Sequence, residues 1–288
     1  MPSALVLIDK QPGWTSHDVV AKLRGILGTR KIGHAGTLDP MATGLLVLGV
    51  DGGTKLLQFI SGSDKQYLAT IRLGAATHTD DAEGDVVFSA SAKEISSAQI
   101  DAEIAKFTGE ITQVPSSVSA IKVDGKRAYD LVRDGKEVEL KGRQVSVSHF
   151  ARSSDLRAVD DFVDFDVVVD CSSGTYIRAL ARDIGAALGV GGHLTSLRRT
   201  RIANFDVAHA TEIGKSPVLL PLAAAAENLF ASVELSHDHA RDIVHGKRIE
   251  LAVKDMVAAK WNGELLAVLE PAGSQAKSVV VFPEVFDA

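Results

Sequence analysis

The chain carries a single cysteine, Cys171, among 288 residues. A lone thiol excludes an internal disulfide framework and any metal site built from several cysteines, and it suits a reducing compartment. No apolar run approaches the ~20 residues needed to span a bilayer, and the valine-rich run near residue 167 is only strand length. The opening "MPSALVLIDKQPG" lacks a basic segment followed by a long apolar core, so no secretory leader is expected. Internal repeats and low-complexity tracts are missing too. So is an excess of positive charge: the formal net charge is −6. Phosphate binding is driven by Lys and Arg releasing counterions, so the total charge by itself argues against a nucleic-acid partner.

Familiar chemical signatures are also missing. "SHD" (16–18) sets Ser, His and Asp side by side at a helix start, where capping explains them; triads converge in space rather than in sequence. "GVDGGTK" (49–55) has Thr54 between Gly53 and Lys55 and so breaks phosphate-loop spacing. "THTDDAEGD" (77–85) does not place carboxylates at alternate positions before a turn glycine, as a calcium loop requires. The nine histidines form no paired metal pattern. No cofactor and no metal are expected.

What is present is ordinary globular composition, 45% hydrophobic and 24% charged. "ALVLID" (4–9) and "ATGLLVLGV" (42–50) read as buried strands, and "SHDVVAKLRGIL" (16–27) reads as a helix capped by Thr15 or Ser16 and stopped by Gly28. "KQYLATIRLG", "QVSVSHF" and "DFVDFDVVVDC" alternate as strands do. "SSAQIDAEIAKFTG" and "GTYIRALARDIGAALG" have helical spacing, "RAYDLVRDG" reads as a short helix, and "LTSLRRTRIANF" reads as extended. Strands and helices mix without strict alternation, which predicts an α+β fold. Near 215–230 the character changes, and "AAKWNGELLAVLEP" and "AKSVVVFPE" predict short strands joined by Asn-Gly and Pro-Ala-Gly turns. The expected division is therefore residues 1–228 and a small β-rich domain over 229–288, the alternative being an extension of the first domain. The charges are unevenly spread: Arg198, Arg199 and Arg201 cluster, basic residues punctuate 122–143, and acids crowd 80–85 and 160–166. A basic face on an acidic protein is compatible with this pattern.

Four segments then stand out in order. "GHAGTLDPMATGLL" (33–46) holds one acid, Asp39, before a proline; "DKQYLATIRLG" follows; then "QVPSSVSAIKVDGKRAYDLVRDG"; then "CSSGTYIRALARDIG" with "GGHLTSLRR". Together they resemble the tRNA pseudouridine synthase B (TruB-type) family, over roughly residues 4 to 205. The resemblance implies a mixed, largely antiparallel catalytic sheet, an RNA-gripping insertion at about 113–145, and a PUA-like C-terminal module. It implies a cofactor-free isomerisation of the T-loop uridine, position 55 of tRNA, after the base is flipped out. By the same resemblance Asp39 is the catalytic carboxylate, Arg178 the charge that keeps it ionised, and Tyr67 the aromatic face for the uracil. Tyr176 and Leu197 enclose the base, His34 fills the space that flipped bases leave, and Lys10, Lys122, Arg198 and Arg199 bind substrate. Read alone, Asp39 is a turn residue, Tyr67 and Leu197 are core, and Arg178 is a helix arginine. Two departures are visible: the proline of "KQPGWTS" stands one place late, and His78 replaces an acid in "THT". The partner implied is tRNA, with no membrane and no obligatory protein partner, and the place of work is the cytoplasm. A guide-RNA-dependent ribosomal RNA synthase and a non-catalytic tRNA-binding or folding protein are the rivals. The insertion favours a stand-alone enzyme over the first, and the set of Asp39, Tyr67 and Arg178 argues against the second.

Overall fold

The structure, a computed structural model, describes residues 2–116, 122–123, 126–127 and 140–286. It is an α+β fold whose contacts divide into two compact units: Met1–Pro40 with Gly44–Gly62 and Ala203–Ala288, and Met41–Thr43 with Ser63–Ile202.

In the first unit, strand β1 (Ala4–Lys10) runs antiparallel to β3 (Thr43–Val50), and β2 (Ile32–Ala35) pairs with the same strand. Helix α1 (Ser16–Leu27) starts at Thr15, whose hydroxyl accepts from the Asp18 N–H while Asp18 bonds back to the Thr15 N–H. This reciprocal cap satisfies two donors that a helix start otherwise leaves bare. The helix ends at Gly28, which takes the left-handed conformation at φ 65°. Val19, Val20 and Leu23 of α1 pack on Val6, Ile8, Leu46 and Leu48, all buried. Each such side chain contributes about 1.5–3 kcal/mol of transfer free energy. The glycines of "GVDGG" are explained by packing: a Cβ on Gly53 would run into the Ala4 carbonyl, and one on Gly49 would lie 2.5 Å from the Gly53 oxygen.

The same unit holds a four-stranded sheet in the order Ala231–Glu234, Val257–Trp261, Glu264–Ala272, Gln275–Val281. Its first pair is parallel and the others antiparallel. The expected Asn-Gly turn is present, with Asn262 and Gly263 at φ 52° and 80°. Lys55 fastens this sheet: its Nζ donates to the Val281 carbonyl at 2.7 Å and lies 5.0 Å from the Phe282 ring centroid. Phe59 and Phe230 meet edge to face at 5.2 Å.

The second unit is a wholly antiparallel run of strands: Gly192–Ile202, β4 (Lys65–Leu73), Phe162–Cys171, Arg143–Arg152 and Gly109–Gln113. Alternation in β4 puts Lys65, Tyr67, Ala69, Ile71 and Leu73 on the buried face. Helix Ile177–Ala187 buries seven of its residues, from Ile177 to Gly185. Helix Ser97–Lys106 starts with a Ser96–Gln99 capping box. Beyond these, Lys122–Val123 pairs with Lys126–Arg127. Of the expected short helix over 127–135, only Arg127 falls within the described residues, and it belongs to this strand pair. No helix among the described residues is long and apolar enough to cross a membrane.

Candidate active site

Asp39 sits on a loop that is held by its neighbours' backbone. The Ser16 hydroxyl accepts from the Leu38 N–H at 2.9 Å and donates to the Leu38 carbonyl at 3.3 Å. On the other side, the Pro40 carbonyl accepts from the Gly13 N–H at 2.9 Å and from Lys10 Nζ at 3.2 Å. Lys10 is completely buried, and its ammonium also donates to the carbonyls of Gln11, at 3.1 Å, and Trp14, at 2.7 Å. So "KQPGWTS" cradles the Asp39 loop from below, and Gly13, at φ 80°, makes the turn that brings its N–H to Pro40. The late proline, Pro12, is exposed and does not disturb these bonds. Asp39 itself is half-buried. His34 lies on β2, edge to face with His17 at 5.7 Å.

The second unit carries Tyr67, Tyr176, Arg178 and Leu197. Tyr67 is 8% exposed, and its cross-strand neighbours are Val169 and Arg199. Leu197 opposes Ala69, one row along the same buried face. Arg199 is 1% exposed, so it is a core neighbour of Tyr67 and no part of an exposed basic face. Arg198 lies on the other face, opposite Leu68, and Arg201 pairs there with Asp170. Of Lys122 only the backbone strand falls within the described residues.

Arg178 lies in the first turn of the helix Ile177–Ala187. Its Nη1 donates to the Thr79 carbonyl at 2.7 Å and lies 3.3 Å from an Asp81 oxygen, with both side chains buried. Asp81 in turn accepts from the Thr79 hydroxyl at 2.5 Å and the Glu83 N–H at 3.1 Å. Its neighbour Asp80 pairs with Arg182 at 3.2 Å, and burial pushes the Asp80 carboxyl above the usual range. "THTDDAEGD" is therefore a brace for the arginine helix. His78, the departure in that segment, is exposed, while the flanking Thr77 and Thr79 make the internal bonds.

Tyr176 is the N-cap of the same helix. Gln113 brackets its peptide groups, accepting from the Tyr176 N–H at 2.7 Å and donating to the Tyr176 carbonyl at 3.0 Å. The Arg143 guanidinium lies over the Tyr176 ring at 4.7 Å. Sequence reasoning missed Ser16, Gln113 and Asp81, because each acts through a partner at least 22 residues away or through backbone atoms that leave no side-chain pattern. Below Tyr67, Lys65 and Cys171 oppose each other across the ladder. Burial, with help from Arg199, lowers the Lys65 ammonium to about 8. Burial also pushes the Cys171 thiol up to about 11, which makes it unreactive. Among the described residues no group of three or more His, Cys, Asp or Glu is placed to hold a metal.

The α+β fold is a pseudouridine synthase fold. A chain in the crystal structure of a Cbf5–Nop10–Gar1 complex superposes with a TM-score of 0.68 at 25% identity, covering 98% of this chain and 86% of that one. Residues 24–177 match the model of the TruB family pseudouridylate synthase N-terminal domain. Residues 178–215 match the tRNA pseudouridylate synthase B C-terminal domain, and 230–283 the C-terminal domain of tRNA pseudouridine synthase II. The tRNA pseudouridine synthase B of Leifsonia xyli subsp. xyli is 52% identical over 293 residues, covering 98% of this chain and 97% of that protein. The protein of the same name from Rhodococcus jostii is 53% identical, covering 97% and 93%. The chain belongs to the tRNA pseudouridine synthase B family.

Proposed function

We propose that this protein converts the T-loop uridine of tRNA, position 55, to pseudouridine, alone and without a guide RNA. In this isomerisation the N1–C1′ bond breaks, a C5–C1′ bond forms, C5 gives up a proton and N1 takes one. Atoms and electrons balance within the nucleotide, so the reaction needs no redox partner. It does need a carboxylate at the sugar or base, a surface to keep the freed uracil, and shelter from water. We assign the carboxylate to Asp39. Tyr67 provides the aromatic face, Tyr176 and Leu197 enclose the base, and Arg178 supplies the buried positive charge, braced by Asp81. Lys10 serves by holding the Asp39 loop. Arg199 serves through its place beside Tyr67, while Arg198 and Lys122 remain the candidates for phosphate contact, and His34 for the space left by the flipped base. Since its substrate is tRNA, we place its work in the cytoplasm.

The observation that carries this reading is the identity of 52% over nearly the whole chain with a tRNA pseudouridine synthase B, against 25% with the Cbf5 chain. The test is pseudouridine mapping on a bare tRNA transcript incubated with the purified protein. Modification at position 55 by wild type, and none by Asp39→Asn with tRNA affinity within about 3-fold of wild type, is the expected result. A protein that modifies only when a guide RNA is added, or Asp39→Asn retaining turnover, would sink it.

A further inference from the structure

The chain leaves the second unit's sheet at Gln113 and returns at Arg143, and these two residues stand opposite each other in the ladder. Both reach Tyr176. Gln113 is 1% exposed, and its amide closes a two-point clasp on the N–H and carbonyl of Tyr176. Arg143 donates Nη2 to the Gly174 carbonyl at 2.6 Å and lays its guanidinium over the Tyr176 ring. Its Nε is buried and has no hydrogen-bond partner among the described residues.

These contacts answer a specific need. Tyr176 is a half-buried cap residue with extended backbone, φ −101° and ψ 108°, and its side chain makes no capping bond. Nothing in the helix itself sets its ring. Gln113 fixes the peptide planes on either side of the residue, and Arg143 fixes the ring from its face. A guanidinium suits that task because it is planar and stacks on aromatic rings, whereas an ammonium is a point charge. A cation meant for phosphate would instead stand in water with its donors outward.

We propose that Gln113 and Arg143 are positioning residues that hold the Tyr176 ring in the orientation that encloses the uracil. The proposal rests on the reading of Tyr176 as a base-enclosing residue. It removes Arg143 from the set of RNA-gripping cations and makes the two ends of the insertion part of the pocket's own support.

The test compares wild type, Arg143→Lys, Arg143→Ala and Gln113→Met in steady-state pseudouridine formation on a tRNA transcript, with tRNA affinity measured at two salt concentrations. Arg143→Lys keeps the charge and loses the planar face; Gln113→Met keeps the volume and loses both bonds. All three are expected to lower kcat about 10- to 100-fold with KM within about 3-fold, and to leave the salt slope of binding unchanged. Arg143→Lys at wild-type rate overturns the proposal. So does an Arg143→Ala effect confined to KM with a salt slope reduced by about 1, which marks a phosphate contact. Should Gln113→Met fail to fold in a thermal melt, the two Arg143 variants decide. Wild type inactive on tRNA would overturn the functional reading, a distinct result from an active wild type with unaffected variants.

Discussion

The Asp39 loop and the Tyr176–Arg178 wall are held in different ways. Around Asp39, Ser16 holds both peptide groups of Leu38, and Gly13 and Lys10 hold the Pro40 carbonyl, all of them backbone atoms of the loop. In the wall, the main-chain clasp of Gln113 on Tyr176 is joined by contacts that pin side chains as side chains, Arg178 against Asp81 and the Tyr176 ring against Arg143. A loop fixed through its main chain presents its acid with no need of a matching charge from within the loop. A wall fixed through ion pairs and stacking is tied to residue identity, and so to charge and pH.

Asp81→Asn should break the wall hardest. It weakens the compensation of a buried guanidinium, for which a loss of about 3 kcal/mol in denaturant unfolding and a kcat decrease of 10-fold or more are expected. Lys10→Met attacks the loop. Three carbonyls lose their shared donor, at a cost of about 2 kcal/mol, and kcat should fall with tRNA affinity unchanged in a binding assay. Equal loss of affinity and rate would show that Lys10 also meets RNA.

A pH series sharpens the contrast through two buried groups of the wall's sheet, Lys65 and Cys171. Lys65 is lowered from 10.5 to about 8, so the unfolded chain binds more protons and stability rises with pH from about 8 toward 10.5. Cys171 is raised from 9.0 to about 11, so its contribution falls with pH across that window. The expected profile of unfolding free energy climbs by about 1 kcal/mol between pH 8 and 9, then flattens as the two cancel. Lys65→Met should abolish the climb, and a profile unchanged in that variant would refute the assignment. The smallest effect belongs to His78→Asp. The side chain is exposed and its N–H bond to Asp85 is a backbone bond, so stability should shift by less than about 0.5 kcal/mol and activity by less than 2-fold.

Local signals were legible. The alternation in Lys65–Leu73, the cap at the start of the helix Ser16–Leu27, and the helix Ile177–Ala187 are visible in sequence because each depends on residues within one or two turns. Arg199 was not. Counting by twos from Leu194 puts Arg198 on the buried face, but the strand shifts register between Leu194 and Ser196, so Leu197 and Arg199 turn inward instead. A second shift between Arg199 and Arg201 restores Ile202 to the core. A bulge leaves no mark in composition. The Gln113 clasp spans 63 residues and involves only the main chain of Tyr176, so no side-chain pattern announces it.

The unit that carries Asp39 is assembled from segments far apart in the chain, Gly44–Gly62 and Ala203–Ala288 among them, and this has a consequence for biosynthesis. One edge of β1 is covered by Thr211–Glu212, in parallel, and by Leu219–Pro221, antiparallel. A ribosome adding about 5–20 residues per second needs on the order of 10–40 s to travel from Lys10 to those segments. Throughout that interval β1 keeps an open hydrogen-bonding edge, the kind of surface that recruits foreign strands. The Lys55 bond to Val281 closes later still. Vectorial folding of this unit therefore has to wait: β1 is synthesised long before the segments that cover its edge.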